Sequence, residues 1–147
     1  LFFDFLPFDM GTIKGYDVRI QLYTVPGQVK YNATRRLVLR GVDGVVFVAD
    51  SMKMRKEKNI ASLQNLRENL EIYSKDLKKI PLVLQYNKRD LQKEGVPLLS
   101  IDTLQSDLNR ELNVPFFPAS ALKGQNVVST LKKIISATVI SLRDAFQ

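Results

Sequence analysis

The tetrapeptide Asn87-Lys88-Arg89-Asp90 directly follows the apolar run IPLVLQY at residues 80–86. An amide and a carboxylate three residues apart, where a buried strand turns into a loop, could together bind a guanine base. The Asp90 carboxylate would accept hydrogen bonds from the base N1–H and N2–H₂, because an ionised carboxylate has several acceptor sites. The Asn87 amide would reach the O6/N7 edge, and the apolar stem of Lys88 would lie over the ring plane. This spacing therefore predicts a guanine-binding loop.

Two further segments follow predicted strands, Thr24-Val25-Pro26-Gly27-Gln28 and Ala119-Ser120-Ala121-Leu122. In open α/β sheets, ligands bind beyond the carboxyl ends of the strands, so we expect both segments on the same rim as residues 87–90. A Ser-Ala backbone there could donate an N–H to the guanine O6. A Gly N–H facing a γ-phosphate, followed by a Gln that positions a water, would form the hydrolytic part of the site. The alternative for Pro26-Gly27 is an ordinary turn.

The apolar patterning predicts an alternation of strands and helices. Alternating or continuous apolar runs predict strands at residues 1–8 (ended near Pro7), 18–24, 43–50, 80–86 and 114–118. Apolar residues three and four apart predict helices at residues 31–39, 56–74, 101–112 and 127–146. A turn at residues 11–15 would join the first two strands as a hairpin. This order predicts one α/β domain over residues 1–147, with a mostly parallel sheet and one antiparallel edge strand.

The composition narrows the classes of function. The chain has neither Cys nor His, so disulfides, thiolate metal sites and nucleophile systems that need His are excluded. The net charge of +7 comes from basic residues scattered over predicted helix surfaces, and the aromatics of residues 1–8 and 116–117 look like strand core. We therefore expect no nucleic-acid partner. No apolar run approaches the roughly 18 residues that span a bilayer, so we expect no transmembrane segment and a cytoplasmic location.

These residues make the chain resemble the Ras-like small GTPases and, among them, the bacterial MglA group, which controls gliding motility and cell polarity. The resemblance covers essentially the whole length. It is carried by LFFDFLPFDMGTIKG, LYTVPGQVKYNATRRLVLRGVDGVVFVADS, NLRENL and NKRDL. It implies the three-layer Ras-like P-loop GTPase fold, GTP and GDP as ligands, Mg²⁺ as metal ion, and a molecular switch that hydrolyses GTP.

The resemblance also assigns roles around the base. Its guanine-binding residues are Asn87, Lys88, Asp90, Ser120, Ala121 and Leu122. Lys88 would lie along the base plane and the ribose, and Ser120-Ala121 would reach O6. Leu122 stands where many relatives carry Lys, which changes the packing expected on that side of the base.

On the phosphate side, the resemblance implies that Gly27 contacts the γ-phosphate and that Gln28, the catalytic residue, orients the attacking water. Most small GTPases carry an Asp that helps to hold Mg²⁺ at the position of Thr24. The Thr-x-Pro-Gly-Gln form resembles the MglA group and weakens the metal site expected from this strand, so no residue is assigned as a metal ligand. Most ligands of Mg²⁺ are expected in an N-terminal segment that these residues lack.

Residues 29–40 would form the mobile second switch. There the resemblance implies contact with a small Roadblock-type GTPase-activating protein and with effector proteins. The residues of this predicted partner surface are Val29, Lys30, Tyr31, Asn32, Arg35 and Arg36. The resemblance also leaves open a peripheral association with the membrane or the cell pole.

A GTPase of this class needs a G-x-x-x-x-G-K-[ST] loop after its first strand, to hold the β- and γ-phosphates. These residues contain no such stretch, because Gly11/Gly15 and Gly41/Gly44 have the wrong spacing and no following Lys-Ser/Thr. We therefore expect the chain to be an N-terminally incomplete G domain that begins at the second strand of the fold. The complete protein would hydrolyse GTP, whereas these 147 residues alone should not turn it over.

A protein of a different class also fits these observations. A degenerate interaction module would keep the fold and a partner surface but carry out no nucleotide chemistry. The presence of Gln28 favours the GTPase, since a scaffold has no need of that side chain. The missing phosphate loop favours the interaction module if the N-terminal truncation is native.

Overall fold

The computed structural model describes residues 4–146. Its contacts divide the chain into two compact units, of which the first runs to Gly41 and the second begins at Val42. Each unit has its own sheet, antiparallel in the first and parallel in the second.

The first unit contains a β-hairpin formed by β1 (Asp4–Ile13) and β2 (Tyr16–Thr24). The strands are antiparallel, with Asp4 opposite Thr24. Lys14 and Gly15 form the two-residue turn, and both have positive φ values, 51° and 85°. Two consecutive residues with positive φ are typical of the turn whose twist matches that of paired strands. The predicted hairpin is therefore confirmed, with a shorter turn than residues 11–15.

The prediction that the first strand ends near Pro7 is wrong, since β1 continues through Pro7, which lies opposite Gln21. A proline is tolerated there because β1 pairs with β2 alone among the described residues, so N–H groups on its other side are not needed for pairing. The predicted strand residues 1–3 lie outside the described residues. Phe5 is 46% exposed, which corrects the expectation that the aromatics of this segment form core.

A short helical segment follows β2. A 3₁₀ turn at Val29–Tyr31 leads into α1 (Asn32–Val38), close to the predicted helix at residues 31–39. Gly41, with a φ of 78°, then turns the chain at the end of the unit.

The second unit is built on a parallel sheet in the order β3 (Val45–Asp50), β4 (Leu82–Asn87), β5 (Phe116–Pro118). Its helices are α2 (Lys56–Ile72), α3 (Ile101–Leu108) and α4 (Val127–Ala145). Additional 3₁₀ turns lie at Lys53–Arg55 and Arg89–Glu94. The predicted strand directions and all three of these helices are confirmed, although α3 ends several residues earlier than expected.

The core of the second unit surrounds β4. Residues 82–86 are all buried, and because successive side chains of a strand point to opposite faces, both faces of β4 are covered. The helix α4 packs against all three strands, while α2 packs against β3 and α3. On the α3 side, the hydroxyl group of Tyr86 donates a hydrogen bond of 2.5 Å to Gln105 Oε1. A central strand fixed in this way gives the loops at its carboxyl end a rigid support.

Within residues 4–146, no helix combines the length and the apolar character that crossing a bilayer requires.

Candidate functional site

The ends of β3 and β4 lie side by side at the carboxyl edge of the parallel sheet. Asp50 and Asn87 are partners in register, and the Ser51 N–H donates to the Asn87 carbonyl at 3.2 Å. Immediately after Asn87, the backbone of Lys88 adopts a left-handed conformation with φ 71° and ψ 25°. This conformation is uncommon for a residue with a side chain, and such strain occurs preferentially at functional sites.

The Asn87 side chain connects β4 to the loop that follows β5. Its Oδ1 accepts a hydrogen bond of 2.8 Å from the Ala121 N–H. This bond orients the amide, because an oxygen must face the N–H, and it leaves Nδ2 without a hydrogen-bond partner among residues 4–146. The contact of the Ala121 N–H with a base O6 stays a prediction, and it would require this N–H to share or exchange its acceptor.

The Lys88 side chain is held by a carboxylate at the end of the neighbouring strand. Its Nζ lies 2.9 Å from Asp50 Oδ2 in an ion pair whose side chains are 41% and 23% exposed. The Lys88 side chain is therefore held at its ammonium end. Lys88 is also one of the residues that line a cavity at this edge of the sheet.

Asp90 lies in the first turn of the 3₁₀ segment Arg89–Glu94. In the part of the chain that the structure describes, its carboxylate forms no hydrogen bond and no ion pair, so its oxygens are available to a ligand. Arg89 fixes the loop after β4 to two neighbouring segments. Its backbone N–H donates to Ala119 O at 3.0 Å, and its guanidinium donates to Leu99 O at 2.7 Å. Burial lowers the pKa of Arg89 from its usual value.

The loop after β5 is closed by its own hydrogen bonds. Ser120 is fully buried and exchanges two backbone hydrogen bonds with Gln125, of 3.1 and 2.9 Å. Its hydroxyl oxygen also accepts the Lys123 N–H at 3.1 Å. Ser120 therefore shapes the loop, whereas Leu122 projects from it with 81% of its surface exposed.

An open cavity of about 220 Å³ lies at this edge of the sheet. The lining residues are Asn87, Lys88, Asp90, Leu91 and Leu122. The volume is below the roughly 300–1,000 Å³ of sites that enclose a drug-sized ligand. Leucine side chains and a lysine stem offer apolar surface, while the amide and the carboxylate offer a donor and acceptors. Such a cavity suits a flat heterocycle with polar groups along its edge.

The Pro26-Gly27-Gln28 turn lies in the first unit and is held by α1. The Arg35 guanidinium donates to Pro26 O at 3.0 Å and to Gln28 O at 2.6 Å, and burial lowers the pKa of Arg35. The Gln28 side chain is exposed. Gly27 has no positive φ, and a Cβ added to it would meet no atom within 4 Å in the described structure. Packing within the chain therefore does not demand a glycine there, which leaves room for close approach by a ligand.

The residues of the predicted partner surface lie in this unit. Val29 is 88% exposed, and the ammonium group of Lys30 lies 5.0 Å from the centre of the Tyr31 ring. Asn32 begins α1 and Arg36 lies on the same helix. The Arg35 guanidinium binds the turn of its own unit.

The residues that could help to hold Mg²⁺ are few. The Thr24 hydroxyl donates to Asp4 Oδ2 at 3.1 Å, which places a carboxylate beside the position where most small GTPases carry an Asp. No group of three or more His, Cys, Asp or Glu residues within residues 4–146 could hold a metal ion by itself. A hydroxyl and a carboxylate are the hard oxygen donors that Mg²⁺ takes, and they fit a site completed by nucleotide phosphates and waters.

The sequence reasoning overlooked Asp50, Asn59 and Arg89. The rule that ligands bind at the carboxyl ends of parallel strands could have identified Asp50, because it is the last residue of a predicted strand. The Asn59 side chain on α2 binds the backbone N–H and carbonyl of Asp50, and the Arg89 guanidinium binds the carbonyl of Leu99. Their residue types alone give no such signal.

Comparison with known proteins agrees with this geometry. The Ras family profile matches residues 3–140. The chain is also 49% identical, over 143 residues, to the "Mutual gliding-motility protein MglA" of Myxococcus xanthus (strain DK1622), and this match covers 97% of the chain and 71% of that relative. The parallel three-stranded sheet, the antiparallel pair and the helices are consistent with the Ras-like fold. The chain therefore belongs to the Ras family, and it is a Ras-like small GTPase close to MglA.

Proposed function

We propose that this protein binds GTP and GDP, hydrolyses GTP and acts as a molecular switch in bacterial motility and cell polarity. The observation that carries the proposal is the cavity between the loop after β4 and Leu122. It is lined by the Asn87 amide and by the Asp90 carboxylate, which has no hydrogen-bond or ion-pair partner among residues 4–146. Membership of the Ras family supports a guanine nucleotide as the ligand.

Recognition of the base follows from the donors and acceptors at the cavity. The Asp90 carboxylate would accept from the guanine N1–H and N2–H₂, which adenine cannot supply in the same arrangement. The Nδ2 of Asn87 would donate to the O6/N7 edge, because the Ala121 N–H already occupies Oδ1. The Lys88 stem and Leu122 would pack against the ring. The amide, the carboxylate and the apolar walls would together favour guanine over adenine.

Hydrolysis is assigned to the turn after β2. Gly27 would bring its N–H close to the γ-phosphate, and Gln28 would orient the attacking water. The hydrogen bonds from Arg35 to Pro26 O and Gln28 O would keep the backbone of this turn in place. A bound Mg²⁺ would neutralise charge on the β- and γ-phosphates, with Thr24 and Asp4 as the nearby oxygen donors.

The cellular process and the partners rest on relatives alone. The name of the Myxococcus relative refers to gliding motility, which supports a role in motility for this chain. A Roadblock-type GTPase-activating protein and effectors would bind at Val29–Tyr31 and α1, where exposed apolar and basic side chains lie next to Gln28. The cytoplasmic location and the inactivity of the isolated 147-residue chain stay predictions.

The binding experiment compares nucleotides on the full-length gene product. Fluorescent GDP is bound first and then displaced with unlabelled GDP, GTP or ATP. We expect GDP and GTP to displace the label and ATP to fail at the same concentrations, because the Asp90 carboxylate has no matching donors in adenine. Displacement by ATP as effective as that by GTP would refute the guanine site.

The hydrolysis experiment compares Gln28→Leu with Gln21→Leu in multiple-turnover GTP assays. Both glutamines are exposed in the first unit, but only Gln28 follows Gly27. We expect Gln28→Leu to keep GTP binding and lose turnover, while Gln21→Leu keeps both. Wild-type turnover in the Gln28→Leu variant would remove Gln28 from the reaction. A wild-type protein that binds GTP but never hydrolyses it would instead support an interaction module.

A further inference from the structure

We infer that Asp50 is a positioning residue for the guanine site, which acts by holding Lys88 in the conformation that the base requires. The inference rests on the proposed function, since it concerns the same site. Asp50 ends β3, and its Oδ2 lies 2.9 Å from Lys88 Nζ. The Asp50 carboxylate binds the ammonium group of Lys88, which is one of the residues that line the cavity, whereas Asp50 is not among them. It would therefore act on the base through Lys88.

Asp50 is itself held more firmly than a surface carboxylate. Asn59, which is 6% exposed on α2, donates from Nδ2 to Asp50 O at 2.8 Å and accepts the Asp50 N–H at 3.0 Å. The Met52 N–H donates to the second carboxylate oxygen, Oδ1, at 3.0 Å. The backbone and the Oδ1 atom of Asp50 are therefore both held by hydrogen bonds. The remaining carboxylate oxygen, Oδ2, faces Lys88. A fixed anion can orient a flexible cation, whereas two mobile side chains gain little from pairing.

Lys88 needs such a partner because of its place in the chain. Its backbone is in the strained left-handed region, and its side chain is long and 41% exposed. Without a partner the stem would sample many rotamers, and the wall that it gives to the cavity would be lost in most of them. With Nζ fixed by Asp50, the methylene groups stay beside the cavity before any ligand binds. Preorganisation of this kind strengthens binding by reducing the ordering that the ligand must impose.

A second cation close to the same carboxylate oxygen strengthens the argument. Arg55 Nε lies 3.8 Å from Asp50 Oδ2, and this buried nitrogen has no hydrogen-bond partner in the part of the chain that the structure describes. Asp50 therefore separates two positive charges. When its charge is removed, Lys88 has no anionic partner here and is exposed to repulsion from Arg55. The stem would then move away from the cavity, and a guanine nucleotide would leave faster.

The test measures release of fluorescent GDP from the full-length protein carrying Asp50→Asn, Lys88→Met or both changes. Asparagine keeps the size of the side chain, and methionine keeps an unbranched apolar stem without the ammonium group. We expect each single variant to release GDP about fivefold faster, the upper range for a partly exposed ion pair. The double variant should release GDP no faster than Lys88→Met alone, because both changes break the same pair.

A matched control is another ion pair of the same unit. Lys56 Nζ and Asp107 Oδ2 are 2.5 Å apart, and Asp107 is 14% exposed, but neither residue lines the cavity. We expect Asp107→Asn to lower the melting temperature and leave GDP release unchanged. A purely structural role of Asp50 would give Asp50→Asn the same behaviour as this control.

The inference is overturned if Asp50→Asn releases GDP at the wild-type rate, or if its effect adds fully to that of Lys88→Met. If Asp50→Asn does not fold, the test rests on Lys88→Met. Release of GDP from Lys88→Met at the wild-type rate then contradicts the inference. A wild-type protein that retains no guanine nucleotide at all would reject both the proposed function and this inference. Wild-type binding together with unchanged release in the variants would reject the inference only.

Discussion

The Ala121 N–H donates a hydrogen bond of 2.8 Å to Asn87 Oδ1, and this bond joins the end of β4 to the loop after β5 across 34 residues of chain. One end of the Asn87 amide is thereby used to build the site. The other end, Nδ2, is left for a ligand. The same side chain therefore holds the two loops together and presents a donor at the cavity.

Replacing Asn87 by alanine should weaken binding of both GDP and GTP. The change removes the donor at the base edge and leaves the Ala121 N–H without its acceptor. Loss of a hydrogen bond, with an unsatisfied partner left behind, costs about 1–3 kcal/mol. We therefore expect the dissociation constant for fluorescent GDP, measured by titration, to rise by about fivefold or more.

The control for Asn87→Ala is Gln92→Ala, an amide-to-alanine change at an exposed position of the 3₁₀ segment Arg89–Glu94. This variant should bind GDP as the wild type does. Equal affinities for Asn87→Ala and the wild-type protein would show that the amide does not contact the base.

Replacing Arg35 by alanine should loosen the Pro26-Gly27-Gln28 turn. The guanidinium donates to two carbonyls of that turn, and the Tyr31 N–H donates to one of them, Gln28 O, at 3.0 Å. Without Arg35 this turn should open more often, and we expect the Tyr31 amide to exchange with solvent about tenfold faster. Hydrogen exchange followed by NMR measures the effect directly.

Arg40→Ala serves as the matched change, because Arg40 is exposed in the same unit and lies beyond the end of α1. Exchange at Tyr31 should be unaffected by this substitution. If Arg35→Ala also leaves Tyr31 unchanged, the guanidinium does not hold the turn in solution.

Replacing Gly44 by alanine should destabilise the second unit. A Cβ at this position would lie 2.1 Å from Thr138 Oγ1 and 3.3 Å from Thr138 Cβ, so β3 and α4 could not keep their present packing. Overpacking of this kind costs about 1–3 kcal/mol in the free energy of unfolding. Urea unfolding of the single variant should show this loss.

Gly44→Ala combined with Thr138→Ala provides the control, because the second change removes the hydroxyl that the new methyl group meets. Most of the lost stability should return, relative to Thr138→Ala alone. A double variant as unstable as Gly44→Ala would mean that the contact with Thr138 is not the cause.

Much of the fold could be predicted from the sequence because its strands and helices have clear apolar periods. The continuous apolar run of residues 80–86 predicted a strand buried on both faces, and β4 is buried in this way. The placement of Asn87 and Asp90 at a strand end predicted a guanine-binding loop, and although both residues line one cavity, its ligand stays a prediction. Local patterns were sufficient for these features because each depends on residues close together in the chain.

Features that depend on distant residues could not be predicted. The ion pair of Lys88 with Asp50 joins residues 38 positions apart, and no local pattern marks it. Pro7 was expected to end a strand, but a proline ends a strand only when its missing N–H is needed for pairing. Arg35 was assigned to a partner surface by resemblance, and its hydrogen bonds to the turn before α1 were not predicted.

The most direct test of the account is the base preference of Asp90→Asn in the full-length protein. With xanthine, an asparagine can accept from the N1–H and donate to O2. With guanine, the asparagine N–H₂ group faces the N2–H₂ group, and two donors cannot form a hydrogen bond. Displacement of labelled nucleotide by GDP and by xanthosine diphosphate is measured, with Glu94→Gln as a control on the same 3₁₀ segment. We predict that Asp90→Asn comes to prefer the xanthine nucleotide and that Glu94→Gln keeps the guanine preference of the wild type. Unchanged guanine preference in Asp90→Asn would contradict the account.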